Sequence, residues 1–91
     1  MQELTVENLG LNIFPNPITD VSTLVFELEE RSQVQLDVLD VLGRTILNLS
    51  NGTLSQGDHQ YPISRTDLGN GMYFVRMSIN EEAVMVKFMV N

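Results

Sequence analysis

The chain of 91 residues contains no cysteine and no tryptophan. Without cysteine there is no disulfide framework, no zinc finger, no iron–sulfur centre and no thiol nucleophile. Basic residues are scarce: five Lys and Arg stand against 12 Asp and Glu, for a formal net charge of −7. Binding nucleic acid requires clustered Lys and Arg to meet phosphate, so this balance argues against it. It argues equally against an anionic membrane surface. No apolar run approaches the roughly 20 residues of a membrane-spanning helix. Met1-Gln2-Glu3-Leu4 has neither the basic start nor the apolar stretch of a signal peptide. Two settings fit these absences: a cytoplasmic protein, or a domain of a longer secreted one. Aromatic residues are few, four Phe and two Tyr. With 43% apolar residues a chain of this size builds one core, but not also a deep enclosed pocket.

What remains is a pattern of strands. Thr23 to Leu28 is rich in β-formers, with Leu24, Phe26 and Leu28 on one face. Gln33-Val34-Gln35-Leu36-Asp37-Val38 alternates polar and apolar without a break, as a half-buried strand does. Shorter runs cover Leu11 to Phe14, Arg44 to Leu49 and His59 to Ile63, where Pro62 demands an edge or a strand end. Met72 to Ile79 and Ala83 to Val90 are the longest. No segment holds a helical period over ten residues.

Turn chemistry separates the runs. Pro15-Asn16-Pro17 stops the first strand, because neither proline can donate to a ladder. Glu29-Glu30-Arg31-Ser32 reads as a polar hairpin loop, and Asn80-Glu81-Glu82 closes the last hairpin. Asp40-Val41-Leu42-Gly43 reads as a β-turn: Asp40 accepts a backbone N–H and Gly43 takes positive φ. Asn51-Gly52, Gln56-Gly57-Asp58 and Gly69-Asn70-Gly71 mark the remaining loops. Seven short strands at roughly 8–12-residue spacing predict an all-β fold, an Ig-like or fibronectin-like antiparallel β-sandwich. Tyr73 sits where such sandwiches turn a tyrosine hydroxyl back onto the preceding corner, with Leu68 plugging the core before it. The expected core is Val34, Leu36, Val38, Tyr73, Val75, Met77, Val84, Val86 and Phe88. Met85, Lys87 and Met89 then face outward, and Lys87 fixes that register because its charge resists burial.

No catalytic constellation emerges. His59 is the single histidine, and a catalytic histidine needs an orienting partner and a nucleophile. Its neighbour Asp58 points to the opposite face of a strand. Asp37 and Asp40 likewise fall on opposite faces. Glu29-Glu30 and Glu81-Glu82 sit in loops, where charge favours solubility. The acidic residues are therefore expected at the solvated surface. No calcium loop is present. Gly69-Asn70-Gly71 is too short for a phosphate-binding fingerprint. Asn48-Leu49-Ser50 and Asn51-Gly52-Thr53 match a glycosylation sequon that arises often by chance. Met72, Met77, Met85 and Met89 lie on strands, which favours core filling or edge packing over a soft binding surface. No cofactor or metal is called for.

Three segments in order make the pattern specific. They are Asn12-Ile13-Phe14-Pro15-Asn16-Pro17, Leu39-Asp40-Val41-Leu42-Gly43-Arg44 and Leu68-Gly69-Asn70-Gly71-Met72-Tyr73-Phe74-Val75, followed by a final strand carrying Lys87. Together they resemble the type A C-terminal sorting domain of the type IX (Por) secretion system, over about residues 11–91. The resemblance implies a non-catalytic signal domain at the end of a larger cargo protein. It implies passage through the periplasm of a Gram-negative bacterium and an outer-membrane translocon, to the cell surface or medium. A sortase-like surface peptidase commonly removes such domains. The family's signal concentrates in the last two strands, which maps it here onto Gly71, Tyr73, Val75, Lys87, Phe88, Met89, Val90 and Asn91. Pro15, Asn16, Pro17, Asp40, Gly43, Arg44 and Leu68 take structural roles. Family members often end in a more basic tail, whereas this chain closes Lys87-Phe88-Met89-Val90-Asn91. Residues 1–10 are expected to be an N-terminal linker or remnant, and the missing leader is expected far upstream in a longer protein. A monomer or weak dimer is expected, with no membrane insertion. The alternative reading is an Ig-like accessory or adhesion module that spaces domains or binds carbohydrate.

Overall fold

The structure, a computed structural model, describes residues 4–91. Residues 1–3, the first part of the expected linker, lie outside the described residues. The chain runs α1 (Val6–Leu9), β1 (Asn12–Phe14), β2 (Val21–Leu28), β3 (Ser32–Leu39), β4 (Thr45–Leu54), β5 (Gly57–Ser64), a 3-10 turn (Arg65–Asp67), β6 (Gly71–Ile79) and β7 (Glu82–Val90). The strands form two antiparallel sheets, ordered β1-β2-β5 and β4-β3-β6-β7. This is a β-sandwich of seven strands, and no barrel closes.

Alternation decides which face of each strand turns inward. On β2, Ser22, Leu24, Phe26 and Leu28 are buried. Val34, Leu36 and Val38 on β3, Val75 and Met77 on β6, and Phe88 and Val90 on β7 meet them from the other sheet. Tyr73, Val84 and Val86 are half-buried and pack against this core. Met85, Lys87 and Met89 face outward. Each fully buried side chain of this size contributes about 1.5–3 kcal/mol. Before β1, α1 is capped by Thr5, whose hydroxyl accepts the Asn8 amide at 3.0 Å, and ended by left-handed Gly10. Leu9 of α1 and the following Leu11 are buried.

Four local readings of the sequence are corrected. Glu29–Ser32 is not a hairpin loop: β2 pairs with β1 and β5, so this connection crosses between sheets. Asn51-Gly52 is not a turn but part of β4, with Gly52 opposite Val34, and Gly57-Asp58 belongs to β5. Asp37 is not solvated. It is 5% exposed, with Gln35 Nε2 donating at 2.9 Å and Asn48 Nδ2 at 2.7 Å. Neighbours along β3 and across on β4 supply donors that make this burial tolerable. Met72 is exposed rather than packed, while Met77 fills the core and Met85 and Met89 face outward as the register predicts.

The register sets two poles along a 38 Å axis. One pole gathers α1, the β2–β3 crossing and the β6–β7 turn. The other gathers the Pro15–Asp20 loop, the Asp40–Arg44 turn, the Arg65–Asn70 segment and Asn91.

Candidate functional site

The second pole is built from short, specific contacts. Asp40 caps its own turn: its Oδ1 accepts the amides of Leu42 and Arg44, each at 2.9 Å. The Gly43 amide returns to the Asp40 carbonyl at 3.0 Å, and Gly43 takes φ +84, a conformation that favours glycine. Arg44 Nε pairs with Asp40 Oδ2 at 2.8 Å, the one ion pair among the described residues. The Arg44 amide, above all, holds the Asp40 carboxyl below the usual aspartate range. The Arg44 side chain and the Leu42 amide add to this, against a partial opposing effect of desolvation. Val41 and Leu42 stand exposed at the tip of this turn.

Tyr73 begins on the same pole. Its hydroxyl donates to the Gly69 carbonyl at 2.8 Å, the tyrosine corner that its position predicts. Its ring stacks on Phe88 with centroids 5.8 Å apart. Leu68 is buried beneath the corner, and Gly71 opens β6 at φ +145.

The end of β7 is held from both sides. Toward the sheet, Gly71 pairs with Val90 and Tyr73 with Phe88. On the outer side the Pro15-Asn16-Pro17-Ile18 segment closes over it. Asn16 Oδ1 accepts the Met89 amide at 3.1 Å, the Ile18 amide donates to the Met89 carbonyl at 2.8 Å, and the Asn91 amide donates to the Ile18 carbonyl at 2.9 Å. Arg65 Nε donates to the Asn91 carbonyl. The Ser22 hydroxyl donates to the Pro15 carbonyl, which ties this loop to β2.

Gly71, Tyr73, Val75, Lys87, Phe88, Met89, Val90 and Asn91 thus lie on two paired strands, but they do not share a face. Tyr73, Val75, Phe88 and Val90 turn toward the core, while Lys87 and Met89 turn to solvent. Pro15, Asn16, Pro17 and Leu68 surround their end. The Asp40–Gly43–Arg44 turn shares the pole but stands at the far end of β3, separated from β7 by β6. Sequence reasoning missed Ile18 and Arg65, the two residues that complete the clip. Ile18 is a lone apolar residue after the prolines, fully buried, and that isolation is the only signal it gave.

Charge is divided between the poles. Among the described residues, Glu7, Glu27, Glu29, Glu30, Asp58, Glu81 and Glu82 lie in the first half, with Arg31 and, toward mid-sheet, Arg76 as its cations. Asp20, Asp40 and Asp67 in the second half are matched by Arg44, Arg65 and Lys87. The acidic pole surrounds an open depression lined by Leu4, Leu28 and several of these glutamates. No group of three His, Asp or Glu side chains among the described residues is placed to hold a metal ion. His59 stacks on Phe26 at 5.3 Å and its Nε2 lies 2.7 Å from the Ser55 carbonyl.

Among curated proteins, no sequence matches this chain. A family model does, the secretion system C-terminal sorting domain, over residues 12–91. That span runs from the first residue of β1 to the clipped end of β7 and takes in every segment at the second pole. The chain therefore belongs to the C-terminal sorting domains of type IX secretion.

Proposed function

We propose that this domain carries a cargo protein, joined upstream, through the type IX outer-membrane translocon, and that the signal read there is β7 with the adjoining start of β6. As a member of its family the chain is a secretion sorting signal, which implies a secreted or cell-surface protein. The finer reading assigns no catalysis to the domain itself. Its work is to be recognised after export to the periplasm, with a sortase-like peptidase removing it at the surface. The observation that carries this reading is the match over residues 12–91, together with the convergence of the matched segments on the end of β7.

Fusing residues 11–91 to a periplasmic reporter in a type IX-competent host tests it. The reporter is expected at the cell surface or in the medium, and its retention in the periplasm would overturn the reading.

A further inference from the structure

The rim of the four-stranded sheet along β7 is regular. β6 and β7 pair over nine residues with no shift in register. Successive residues of a strand point their N–H and C=O groups to opposite sides. Met89 points both outward, to Asn16 and Ile18. Ala83, Met85 and Lys87 share that phase, so their backbone groups point outward too. The clip reaches only Met89 and Asn91, and at Val90 it already lies parallel to β7. This edge therefore accepts one added segment at its end, and among the described residues no backbone group bonds to the outer side of the stretch before it, where α1 packs nearby.

The side chains along that stretch define what would fit. Met85, Met89 and the neighbouring Met72 are 49%, 42% and 38% exposed. Lys87 and Arg76 stand on the same outer face, and among the described residues neither has a carboxylate within ion-pair distance. On the inner face, Val84 and Val86 are only half-buried, and α1 is the element that packs near β7. An incoming strand must then place apolar side chains beside Val84 and Val86, and a carboxylate beside Lys87, whereas Arg76 lies one strand further in, opposite Asp37. A second copy of this chain does not meet that requirement. Its β7 carries no carboxylate between Ala83 and Val90, and it would bring two chains of net charge −7 together.

We propose that the open edge of β7, Ala83–Lys87, pairs with an extended strand of a partner protein in which apolar residues alternate with acidic ones. The proposal rests on the sorting-signal reading and names the chemistry of the partner. Main-chain hydrogen bonds supply affinity in such pairing, and the alternating side chains supply selectivity. At physiological salt the screening length is about 8 Å, and Lys87 lies five strand residues, about 17 Å, from Glu82 at the acidic end of the same strand, so the charge nearest a carboxylate at Lys87 is Lys87 itself.

The test uses the whole chain and a capped seven-residue peptide alternating valine with glutamate, with a valine–lysine peptide for comparison. Amide hydrogen exchange is followed residue by residue. With the glutamate peptide at about ten times its Kd, exchange at Met85 and Lys87 is expected to slow about tenfold. The lysine peptide should leave it unchanged. Met85→Pro removes one outward amide, which an edge strand tolerates, and should abolish the protection. Lys87→Glu, on an exposed side chain, should lose protection by the glutamate peptide and gain it with the lysine peptide. Thermal melts identify either variant that fails to fold, and the other then decides. Equal protection by both peptides, or none, overturns the proposal. So does concentration-dependent protection without peptide, which would make the occupant a second copy. In cells, folded Met85→Pro exported as well as wild type overturns the proposal and leaves the sorting reading intact. A wild-type fusion that is not exported overturns the sorting reading, and the peptide result still decides the edge.

Discussion

The two edges of the four-stranded sheet have different backbones. β4 holds two extra residues, Ile46 and Leu49, opposite β3, so its register shifts twice. Bulges of this kind twist an edge away from further pairing. β7 shows no shift over nine pairs, and its end is clipped by Asn16 and Ile18. Burial differs in the same sense. β4 has no fully buried residue, whereas β7 sinks Phe88 and Val90 into the core. One edge is closed to partners and loosely packed. The other is regular, anchored at its end and open before it. The signal positions proposed above fall on the second edge and the adjoining start of β6, which would couple the domain's stability to the strand proposed to be read.

That coupling yields the largest expected effect. Phe88→Ala removes a buried ring stacked on Tyr73 and should cost about 3–5 kcal/mol. A domain of this size has about 5–10 kcal/mol in all, so denaturant unfolding should shift sharply. Ile46→Ala on the β4 bulge should cost no more than about 1 kcal/mol, since Ile46 is exposed. Equal losses would erase the distinction between the edges. Tyr73→Phe sharpens it at an intermediate level: losing the hydrogen bond to Gly69 should cost about 1 kcal/mol in the same measurement.

Asn16→Ala probes the clip alone. It should speed amide exchange at Met89 while leaving Val84, bonded within the sheet, unchanged. The smallest effect concerns Asp40. Its folded carboxyl ionises at lower pH than an unfolded one. Its stabilisation is therefore complete above the ordinary aspartate range and fades as pH falls through the folded value. Asp40→Asn should remove that part of the acid-side slope in melts recorded against pH, and substitutions along β7 should not.

Much of this arrangement is legible in the sequence because it is local. The alternation at Gln33–Val38 and Ala83–Val90 sets the inward faces. Asp40 and Gly43 write their own turn within five residues, and Tyr73 lies four residues from the carbonyl it binds. What depends on distant partners is not legible. The polar Glu29–Ser32 segment has the composition of a hairpin loop, and only the choice of sheet partners makes it a crossing. Asn51-Gly52 has turn chemistry, yet pairing with β3 draws it into a strand. Asp37 is buried because Asn48 reaches it across a strand boundary. The clip joins Asn16 to Met89 over 73 residues, a separation that no periodicity reports. Met85 and Met89 are legible as outward from the register that Lys87 fixes, and only Met72 escapes, because an apolar side chain on a strand suggests core.

β7, and not the sheet edge as such, is the strand proposed to carry the sorting signal. The most direct measurement is the localisation of a cargo fusion bearing one outward-facing charge substitution on each edge, Met89→Glu on β7 or Asn51→Glu on β4. Both positions are exposed and both variants should fold. The β7 variant is expected to stay in the periplasm while the β4 variant reaches the surface or medium. Equal export of the two would contradict the account.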